Sequence, residues 1–141
     1  MRPAKSSSET WAVGRELPAL SKALTQEKID AYARASGDFN PIHVDPAFAA
    51  GTFFGGTIAH GMLLLAYISE VLTAAFGRAW LSGGRLKVRF KGVARPGDTL
   101  AVRGRVERVQ DEGRRLFAAV ECVNQEGQVL VAGDAEVHFD A

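Results

Sequence analysis

Four side chains that can bind a metal ion or move a proton lie close together in the segment 36–45, SGDFNPIHVD: Asp38, Asn40, His43 and Asp45. A carboxylate and an imidazole that share one water molecule can act as general acid and base, provided that each lies within about 2.6–3.2 Å of its proton partner. The same atoms can instead coordinate a metal ion, and short polar residues also cap helices and stabilise turns. The segment therefore has three interpretations: an acid/base pair, a metal site or a polar capping loop.

The spacing of these residues does not favour a metal site. The pattern D-x-N-x-x-H-x-D lacks the glycine and the distant glutamate of a calcium-binding loop. It also lacks the second histidine or the cysteines that are typical of zinc sites. We therefore predict that the segment binds no metal ion and that the protein needs no cofactor.

The capping interpretation explains part of the segment. Asp45 precedes a proline, which is a typical start of a helix, so we assign Asp45 a structural role. Asp38 and Asn40 are also ordinary turn residues. His43 is different, because it lies between two aliphatic residues where an apolar side chain would pack. A turn fixed by Pro41 could bring Asp38 and His43 together, and the residues alone leave catalysis and capping as open alternatives.

Two helices are predicted on either side of this segment. Residues 25–35 place apolar side chains at helical spacing, with Thr25 as the predicted N-cap and Glu27 in the first turn. Residues 58–77 are apolar nearly all round and end at Gly77, which suits the end of a helix. A helix with so little polar surface must be surrounded by protein, so we predict that it is central and buried.

The hydrophobic period changes to two from residue 84 onward. Alternation of apolar and charged side chains predicts antiparallel strands with one apolar face in four runs: 84–92, 99–107, 115–123 and 128–139. The sequences QDEG (110–113) and NQEG (124–127) predict hairpin turns. A further strand near VGRELPAL (13–20) is more weakly marked.

One apolar helix followed by several antiparallel strands predicts an α+β hot-dog fold, in which the antiparallel sheet wraps around the central buried helix. We assign residues 1–11 to a disordered, polar N-terminal tail and residues 12–141 to a single domain of this fold. An open sheet exposes its edge strands, which favours pairing of protomers into a homodimer or a larger homo-oligomer.

The composition limits the partners and the compartment. A formal net charge of +1 gives no general attraction to nucleic acid or to an anionic membrane surface. The longest apolar stretch contains Glu70 and is too short for a membrane span, and the polar first residues lack the apolar core of a secretory signal. Cys122 is the only cysteine and is predicted to be buried rather than nucleophilic. We therefore predict a cytoplasmic protein.

Three segments together resemble one protein family. They are SGDFNPIHVDPAFA (36–49), IAHGMLLLAYIS (58–69) and VRFKGVARPGD (88–98). Their order and the signature G-D-x-N-P-(aliphatic)-H resemble the MaoC-like hot-dog proteins, the group that contains the R-specific enoyl-CoA hydratases. The resemblance covers residues 12–139. Some members of that family carry two hot-dog repeats in one chain, whereas this chain has one.

The resemblance implies roles for residues of the first two segments. Asp38 and His43 would be catalytic, Asn40 would orient them, and the backbone N–H of Gly61 would help to hold the thioester oxygen. The last role is physically reasonable, since a helix N-terminus offers unpaired N–H groups and a glycine lets an oxygen approach the backbone closely. His60, next to Gly61, is interpreted as a structural or capping residue.

The implied reaction is the reversible hydration of a trans-2-enoyl-CoA to the (R)-3-hydroxyacyl-CoA, so the expected protein is a hydro-lyase. The same site run in reverse would be a 3-hydroxyacyl-ACP dehydratase that acts on an acyl-carrier-protein thioester. A hot-dog acyl thioesterase and a non-catalytic acyl-thioester-binding subunit are the remaining alternatives. The presence of both Asp38 and His43 argues against the binding subunit, which needs neither.

Residues that bind the substrate are less well marked. Ser69 and Leu72 lie on the predicted central helix beyond Gly61, at positions similar to those that line the acyl tunnel in the family, and plain core packing is the alternative. One strand face carries four cationic residues, which could bind the phosphates of coenzyme A or of phosphopantetheine: Arg85, Lys87, Arg89 and Lys91. The substrate-binding residues that we single out among them are Arg85 and Lys87. A solvated strand face is the alternative for these two residues.

Overall fold

A computed structural model describes residues 11–140, which form a layer of helices packed on one sheet. The strands of this part of the chain are β1 (Leu20–Ala23), β2 (Arg85–Phe90), β3 (Thr99–Gln110), β4 (Arg115–Val123) and β5 (Val129–His138). Its α-helices are α1 (Gln26–Ser36), α2 (Pro41–Val44), α3 (Pro46–Ala50), α4 (Gly61–Phe76) and α5 (Arg78–Gly83).

The strands are all antiparallel and lie in the order β1-β3-β4-β5-β2. Tight turns join β3 to β4 and β4 to β5 at the two places that the sequence predicts, so these strands form consecutive hairpins. Strand β2 follows the helical layer and pairs with β5. Within the described residues, β1 and β2 are therefore the two edges of the sheet.

Helix α4 packs one face against β3, β4 and β5. The side chains on this face include Leu64, Ile68, Leu72 and Phe76, each at most 2% exposed. Burial of one such side chain stabilises the fold by about 1.5–3 kcal/mol relative to exposure. This packing confirms the α+β architecture and the central position of the helix. Neither α4 nor any other helix in residues 11–140 has the length and apolar character needed to cross a bilayer.

The opposite face of α4 is open in the single chain, so the prediction that the helix is enclosed on all sides is wrong for one chain alone. Met62, Ala66, Glu70 and Ala74 are exposed and lie four residues apart, which makes them one stripe along the helix. The physical reason is that a single sheet covers only the side of the helix around which it curls. We refer to these four residues as the open stripe of α4.

The weakly predicted strand at 13–20 is displaced in the structure. That stretch makes an isolated bridge from Glu16 to Arg105 and a few backbone hydrogen bonds to β3, and the regular strand β1 begins at Leu20. Pro18 explains the delay, because proline has no N–H to donate to a neighbouring strand.

Helix α4 begins at Gly61 rather than at residue 58 as predicted. The N–H of Ile58 donates to the carbonyl of Ile42 at 3.1 Å, and the N–H of Ala59 donates to the carbonyl of Ala94 at 2.8 Å. The apolar residues before Gly61 therefore form tertiary hydrogen bonds instead of a first helical turn. This extended segment passes directly beside the residues discussed below.

The predicted tail, residues 1–11, lies outside the described residues except for Trp11. The Trp11 side chain is 4% exposed and packs edge-on against Phe76, with ring centroids 5.0 Å apart. The core therefore includes Trp11. Cys122, in contrast, is fully buried on β4 as the sequence predicts, and burial raises the pKa of its thiol to about 11.

Candidate active site

Helix α1 ends in a turn that leads directly to Asp38. Gly37 has a φ of 80°, a left-handed conformation that suits glycine, and its N–H donates to the carbonyl of Ala33 at 2.8 Å. The N–H of Asp38 then donates to Ser36 Oγ at 3.2 Å. The exposed Asp38 carboxylate thus lies on a loop that is anchored to the end of α1.

Asn40 connects Asp38 with the short helix that carries His43. The N–H of Asn40 donates to Asp38 Oδ1 at 3.2 Å. As the N-cap of α2, Asn40 accepts the N–H of Ile42 on its Oδ1 at 3.1 Å. Pro41 occupies the first helical position, where its missing N–H has no cost. Through these bonds Asn40 can orient the side chains of Asp38 and His43.

His43 is held in one tautomer. Its Nδ1 lies 2.8 Å from the carbonyl oxygen of Ile58, which can only accept, so Nδ1 carries the proton. In the neutral ring Nε2 then has a lone pair, and Nε2 lies 4.0 Å from Asp38 Oδ2. This separation is too long for a direct hydrogen bond, but it allows one water oxygen to lie about 2.8 Å from both atoms.

Gln26, the first residue of α1, is part of this site but carried no sequence signal. Its Nε2 donates to the carbonyl oxygen of His43 at 2.7 Å and to Asp30 Oδ1 at 2.9 Å. Its Oε1 accepts the hydroxyl of Thr57 at 2.6 Å. One amide therefore joins α1, α2 and the segment before α4, between residues that are 17 and 31 positions apart in the sequence.

His60 lies beside the pair and is 2% exposed. It occupies the N-cap position of α4, but its imidazole makes no capping hydrogen bond, so the capping role considered from the sequence is wrong. The ring is turned elsewhere: Nε2 lies 2.9 Å from the backbone oxygen of Asp38. The His60 ring also stacks on His43, with centroids 3.8 Å apart and ring planes 26° apart.

Asp38, His43 and His60 offer three possible metal ligands within 4.8 Å of one another. However, His43 Nδ1 and His60 Nε2 are already bonded to backbone oxygens. The stacked rings also hold the remaining nitrogens in nearly parallel planes, whereas metal ligands must converge on one point. The geometry therefore favours proton transfer over metal binding, and the expectation of no metal stays a prediction.

The first turn of α4 supplies N–H groups next to His60. Gly61 is its first residue, and no N-cap side chain bonds this end of the helix. Such an N-terminus stabilises negative charge. A Cβ at Gly61 would lie 3.0 Å from the Phe90 ring, so the glycine also permits close packing of that ring. Phe90 occupies an apolar position in the alternating run 84–92, yet this residue is 54% exposed.

Two of the predicted substrate-binding residues lie further along α4. Ser69 and Leu72 are about 12 and 16 Å from Gly61 along the helix axis. Ser69 Oγ accepts the indole N–H of Trp80 at 3.0 Å, and Leu72 is fully buried in the core. Both side chains have a structural explanation in the single chain, and a role in acyl-chain binding stays a prediction.

The other two predicted substrate-binding residues lie further from the catalytic pair, and their role in phosphate binding stays a prediction. Arg85 and Lys87 lie about 16 and 10 Å along β2 from Phe90, the residue of this strand that contacts Gly61. Glu136 and Asp134 stand opposite them on β5. These carboxylates weaken the attraction of this strand face for a phosphate group.

A cavity of about 520 Å³ adjoins the candidate site, because Phe90 belongs to both. Its lining also includes the aromatic residues Phe53 and Phe54 and the cationic residues Lys91 and Arg95. Phe53 is almost completely exposed. Aromatic faces beside cationic groups suit a ligand that has a planar ring and phosphate groups.

Comparison with known proteins identifies the family. Residues 9–127 match the family model described as "MaoC like domain". The chain belongs to the MaoC-like domain family. This MaoC-like chain is 33% identical over 132 residues to the (R)-specific enoyl-CoA hydratase of Aeromonas caviae, which covers 93% of the chain and 97% of the relative. It is 35% identical over 119 residues to 3-hydroxyacyl-thioester dehydratase Z of Mycobacterium tuberculosis, covering 80% of the chain and 79% of the relative.

Solved structures agree with this assignment. The MaoC-like chain superimposes on the R-hydratase PhaJ1 from Pseudomonas aeruginosa with a TM-score of 0.83 and 30% identity, covering 94% of this chain and 84% of that one. This likeness confirms the hot-dog fold. The chain spans only 12% of a longer relative, the peroxisomal hydratase-dehydrogenase-epimerase of Neurospora crassa. The named relatives are hydratases and dehydratases, so the MaoC-like chain belongs to a family of hydro-lyases.

Proposed function

We propose that this protein reversibly hydrates a trans-2-enoyl-CoA to the (R)-3-hydroxyacyl-CoA, with Asp38 and His43 activating one shared water molecule. The observation that carries the proposal is the 4.0 Å separation of Asp38 Oδ2 from His43 Nε2, in a pair that backbone groups orient. Relatives named as (R)-specific enoyl-CoA hydratases support the substrate class and the configuration of the product.

The addition requires one proton to leave the water and one to reach the substrate. The water oxygen attacks the β-carbon and loses a proton to the pair, in which the Asp38 carboxylate and His43 Nε2 each have a lone pair that can accept it. The pair then delivers one proton to the α-carbon from the same face, so that the enzyme returns to its starting protonation state. General acid/base catalysis of this kind contributes about 10²–10⁴-fold to the rate.

Negative charge that develops on the thioester oxygen needs stabilisation. The N–H of Gly61, at the positive end of the α4 dipole, is the proposed hydrogen-bond donor. The Phe90 ring, which lies against Gly61, would form one wall of the thioester site. Loss of one such donor costs about 10²–10³-fold in kcat in other enzymes, so this contribution is comparable to that of the acid/base pair.

The phosphates of coenzyme A are proposed to bind at Lys91 and Arg95 rather than at Arg85 and Lys87. Lys91 and Arg95 line the cavity that shares Phe90 with the site. Arg85 and Lys87 lie further along the strand and face acidic residues on β5. The aromatic residues of the same cavity would accept the adenine ring.

Two copies of the chain are proposed to pair at the side of the molecule that holds the site. Phe53, Met62 and Phe90 are 99%, 55% and 54% exposed, and β2 is an unpaired sheet edge within the described residues. Exposed apolar side chains grouped in this way mark an interaction surface. A second copy that joins β2 edge to edge would also approach the open stripe of α4.

The acid/base assignment is tested with crotonyl-CoA, by following the loss of enoyl absorbance. Asp38→Asn keeps the shape of the side chain but removes the carboxylate, so we expect activity to fall by at least about 10²-fold with the fold intact. His43→Ala should cost a similar factor. The double variant should cost little more than either single one, because groups that act on one water are non-additive.

Asp45→Ala is the matched control, because Asp45 lies in the same segment. Asp45 caps α3 by accepting the N–H of Phe48 at 3.1 Å, so its loss should lower the free energy of unfolding by about 1 kcal/mol and leave turnover largely unchanged. Loss of turnover in Asp45→Ala with normal turnover in Asp38→Asn would overturn the assignment. Release of free thiol by the wild type would indicate a thioesterase, and binding without turnover would indicate a binding subunit.

A further inference from the structure

A second histidine contacts both members of the proposed catalytic pair. His60 Nε2 lies 2.9 Å from the backbone oxygen of Asp38, and the His60 ring stacks on His43 at 3.8 Å between centroids. Tyr32 also contacts the His60 ring, at 4.8 Å between centroids and with the planes 59° apart. With 2% exposure, His60 is fixed by its neighbours rather than by solvent.

Packing alone does not explain an imidazole at this position. The carbonyl of Asp38 can only accept, so His60 Nε2 carries the proton. The other nitrogen, Nδ1, is buried and has no hydrogen-bond partner. Within residues 11–140 only two other buried side-chain atoms lack a partner, namely Trp11 Nε1 and Arg115 Nε. An unpaired buried polar atom is unfavourable, so a purely structural position would be better filled by an apolar side chain.

Histidine combines a ring that stacks and an N–H donor in one compact side chain, whereas tyrosine and tryptophan, which also have a ring and a donor, are larger. Phenylalanine would keep a ring against His43 but has no donor for the carbonyl of Asp38. Glutamine would keep an N–H donor at about the position of Nε2 but has no ring to stack on His43. The unpaired Nδ1 is then the cost of having a ring and a donor in one side chain.

We propose that His60 is a positioning residue, which fixes the backbone of Asp38 and the ring plane of His43 so that both meet the same water molecule. This inference rests on the proposed function, and it extends that function to a residue that does not touch the reacting atoms. A displacement of about 1 Å in such an arrangement can lower a rate by about 10²-fold. His60 therefore acts on kcat through the pair, with little effect on substrate binding.

The kinetic test compares His60→Phe, which removes only the donor, with His60→Gln, which removes only the ring. We expect each to lower kcat by about 10-fold or more, with KM within about 2-fold of the wild type, because the lost contacts position catalytic groups and bind no substrate. His138→Gln is the control, since His138 lies on β5, is exposed and bonds Glu136. Unchanged kcat in both His60 variants would overturn the proposal.

A double-mutant cycle separates positioning from loss of the fold. In the Asp38→Asn background, where the carboxylate is already absent, His60→Phe should lower the residual rate by less than about 2-fold. A reduction as large as that in the wild-type background would mean that His60 acts independently of Asp38, and the proposal would fail. Urea unfolding shows whether each variant is folded. If one of the two His60 variants does not fold, the kinetics of the other one test the proposal.

Nitrogen NMR of the histidine rings tests the proposal without any activity. The chain has three histidines, so each ring can be assigned from single substitutions. In the wild type we expect the proton on Nδ1 of His43 and on Nε2 of His60. In His60→Gln the His43 signals should shift and broaden, because the ring loses its stacking partner and is held less firmly against the carbonyl of Ile58, while His138 stays unchanged. Unchanged His43 signals would overturn the positioning role even if the wild type proved inactive on enoyl-CoA, a result that would separately refute the proposed function.

Discussion

Asp38 and His43 are oriented by peptide groups rather than by each other. The carbonyl of Ile58 holds Nδ1 of His43, and the N–H of Asn40 holds Oδ1 of Asp38. Gln26 adds a third constraint through the carbonyl of His43. Backbone partners leave the outer atoms of both side chains available for one water molecule, which a direct carboxylate–imidazole hydrogen bond would exclude.

The hydrogen bond between Ser69 and Trp80 predicts that the Ser69 hydroxyl stabilises the fold. Its hydroxyl accepts the indole N–H of Trp80, a side chain that is only 9% exposed. Ser69→Ala should leave that N–H unpaired and lower the free energy of unfolding by about 1–3 kcal/mol, as measured by urea denaturation. Ser69→Thr, which keeps the hydroxyl, is the control. If Ser69→Ala raised KM for long-chain enoyl-CoA without any change in stability, the acyl-binding role would be the better explanation.

At the scale of elements, several long-range contacts of the site come from the extended segment that precedes α4. The extended stretch before α4 bonds α2 through Ile58 and the loop after β2 through Ala59. Helices α1 and α4 contribute their first residues, Gln26 and Gly61, and Tyr32 in the middle of α1 packs against the His60 ring. The sheet contributes one residue, Phe90 at the end of β2. The sheet therefore serves mainly as a rigid support for α4, whose N-terminus is the fixed point of the site.

The burial of Cys122 on β4 predicts a pH-dependent reactivity. Burial raises the pKa of this thiol from 9.0 to about 11. Below pH 9 the Cys122 thiol is mainly neutral in both the folded and the unfolded chain. Between pH 9 and about 11 the thiol ionises in the unfolded chain only. The free energy of unfolding therefore decreases as the pH rises through that window. At pH 8 a disulfide reagent such as DTNB should label the native protein only through opening of the sheet.

The protein unfolded in urea is the reference for the labelling experiment. The same protein in concentrated urea should react with one equivalent of reagent, because Cys122 is the only cysteine in the sequence. Rapid stoichiometric labelling without urea at pH 8 would contradict the buried position of Cys122 on β4.

At the scale of the whole molecule, several of the exposed apolar side chains of residues 11–140 lie on the side that holds the candidate site. Phe53, Phe90 and Met62 are exposed near the site, and Met62 begins the open stripe of α4. A single sheet cannot cover both faces of an apolar helix, so we propose that a second copy of the chain completes the enclosure that the sequence of α4 suggests.

Dimer formation is therefore expected at micromolar concentration, with a mass by light scattering of about twice the 15.1 kDa of one chain. Met62→Glu should shift the protein toward the monomer and lower activity, because it buries a charge in the proposed interface. Val13→Glu is the control, since Val13 is 65% exposed but lies beside β3, away from β2. A wild type that scatters as a clean monomer would rule out the pairing.

Binding of the coenzyme A phosphates at Lys91 predicts which charge reversals raise KM. Lys91→Glu should raise KM for enoyl-CoA several-fold more than it lowers kcat, because a phosphate contact is made equally in the ground state and in the transition state. Lys87→Glu and Arg85→Glu are the controls, because each reverses one charge on β2, the strand that precedes Lys91. If the phosphates bind at Lys91, each control should change KM by less than about 2-fold. The opposite ranking would return the phosphates to Arg85 and Lys87.

The sequence alone determined the features that depend on neighbouring residues: the alternation of the strands, the hairpin turns, the N-caps Thr25 and Asp45, the burial of Cys122 and the motif around Asp38 and His43. Each is specified by spacing of a few positions, because local backbone geometry fixes which side chains share a face or cap a helix. The packing of distant segments, in contrast, brings Gln26, His60 and Phe90 to one site and leaves one side of α4 open. Those contacts join residues far apart in the chain, and the pattern of one segment carries no information about which distant segment folds against it.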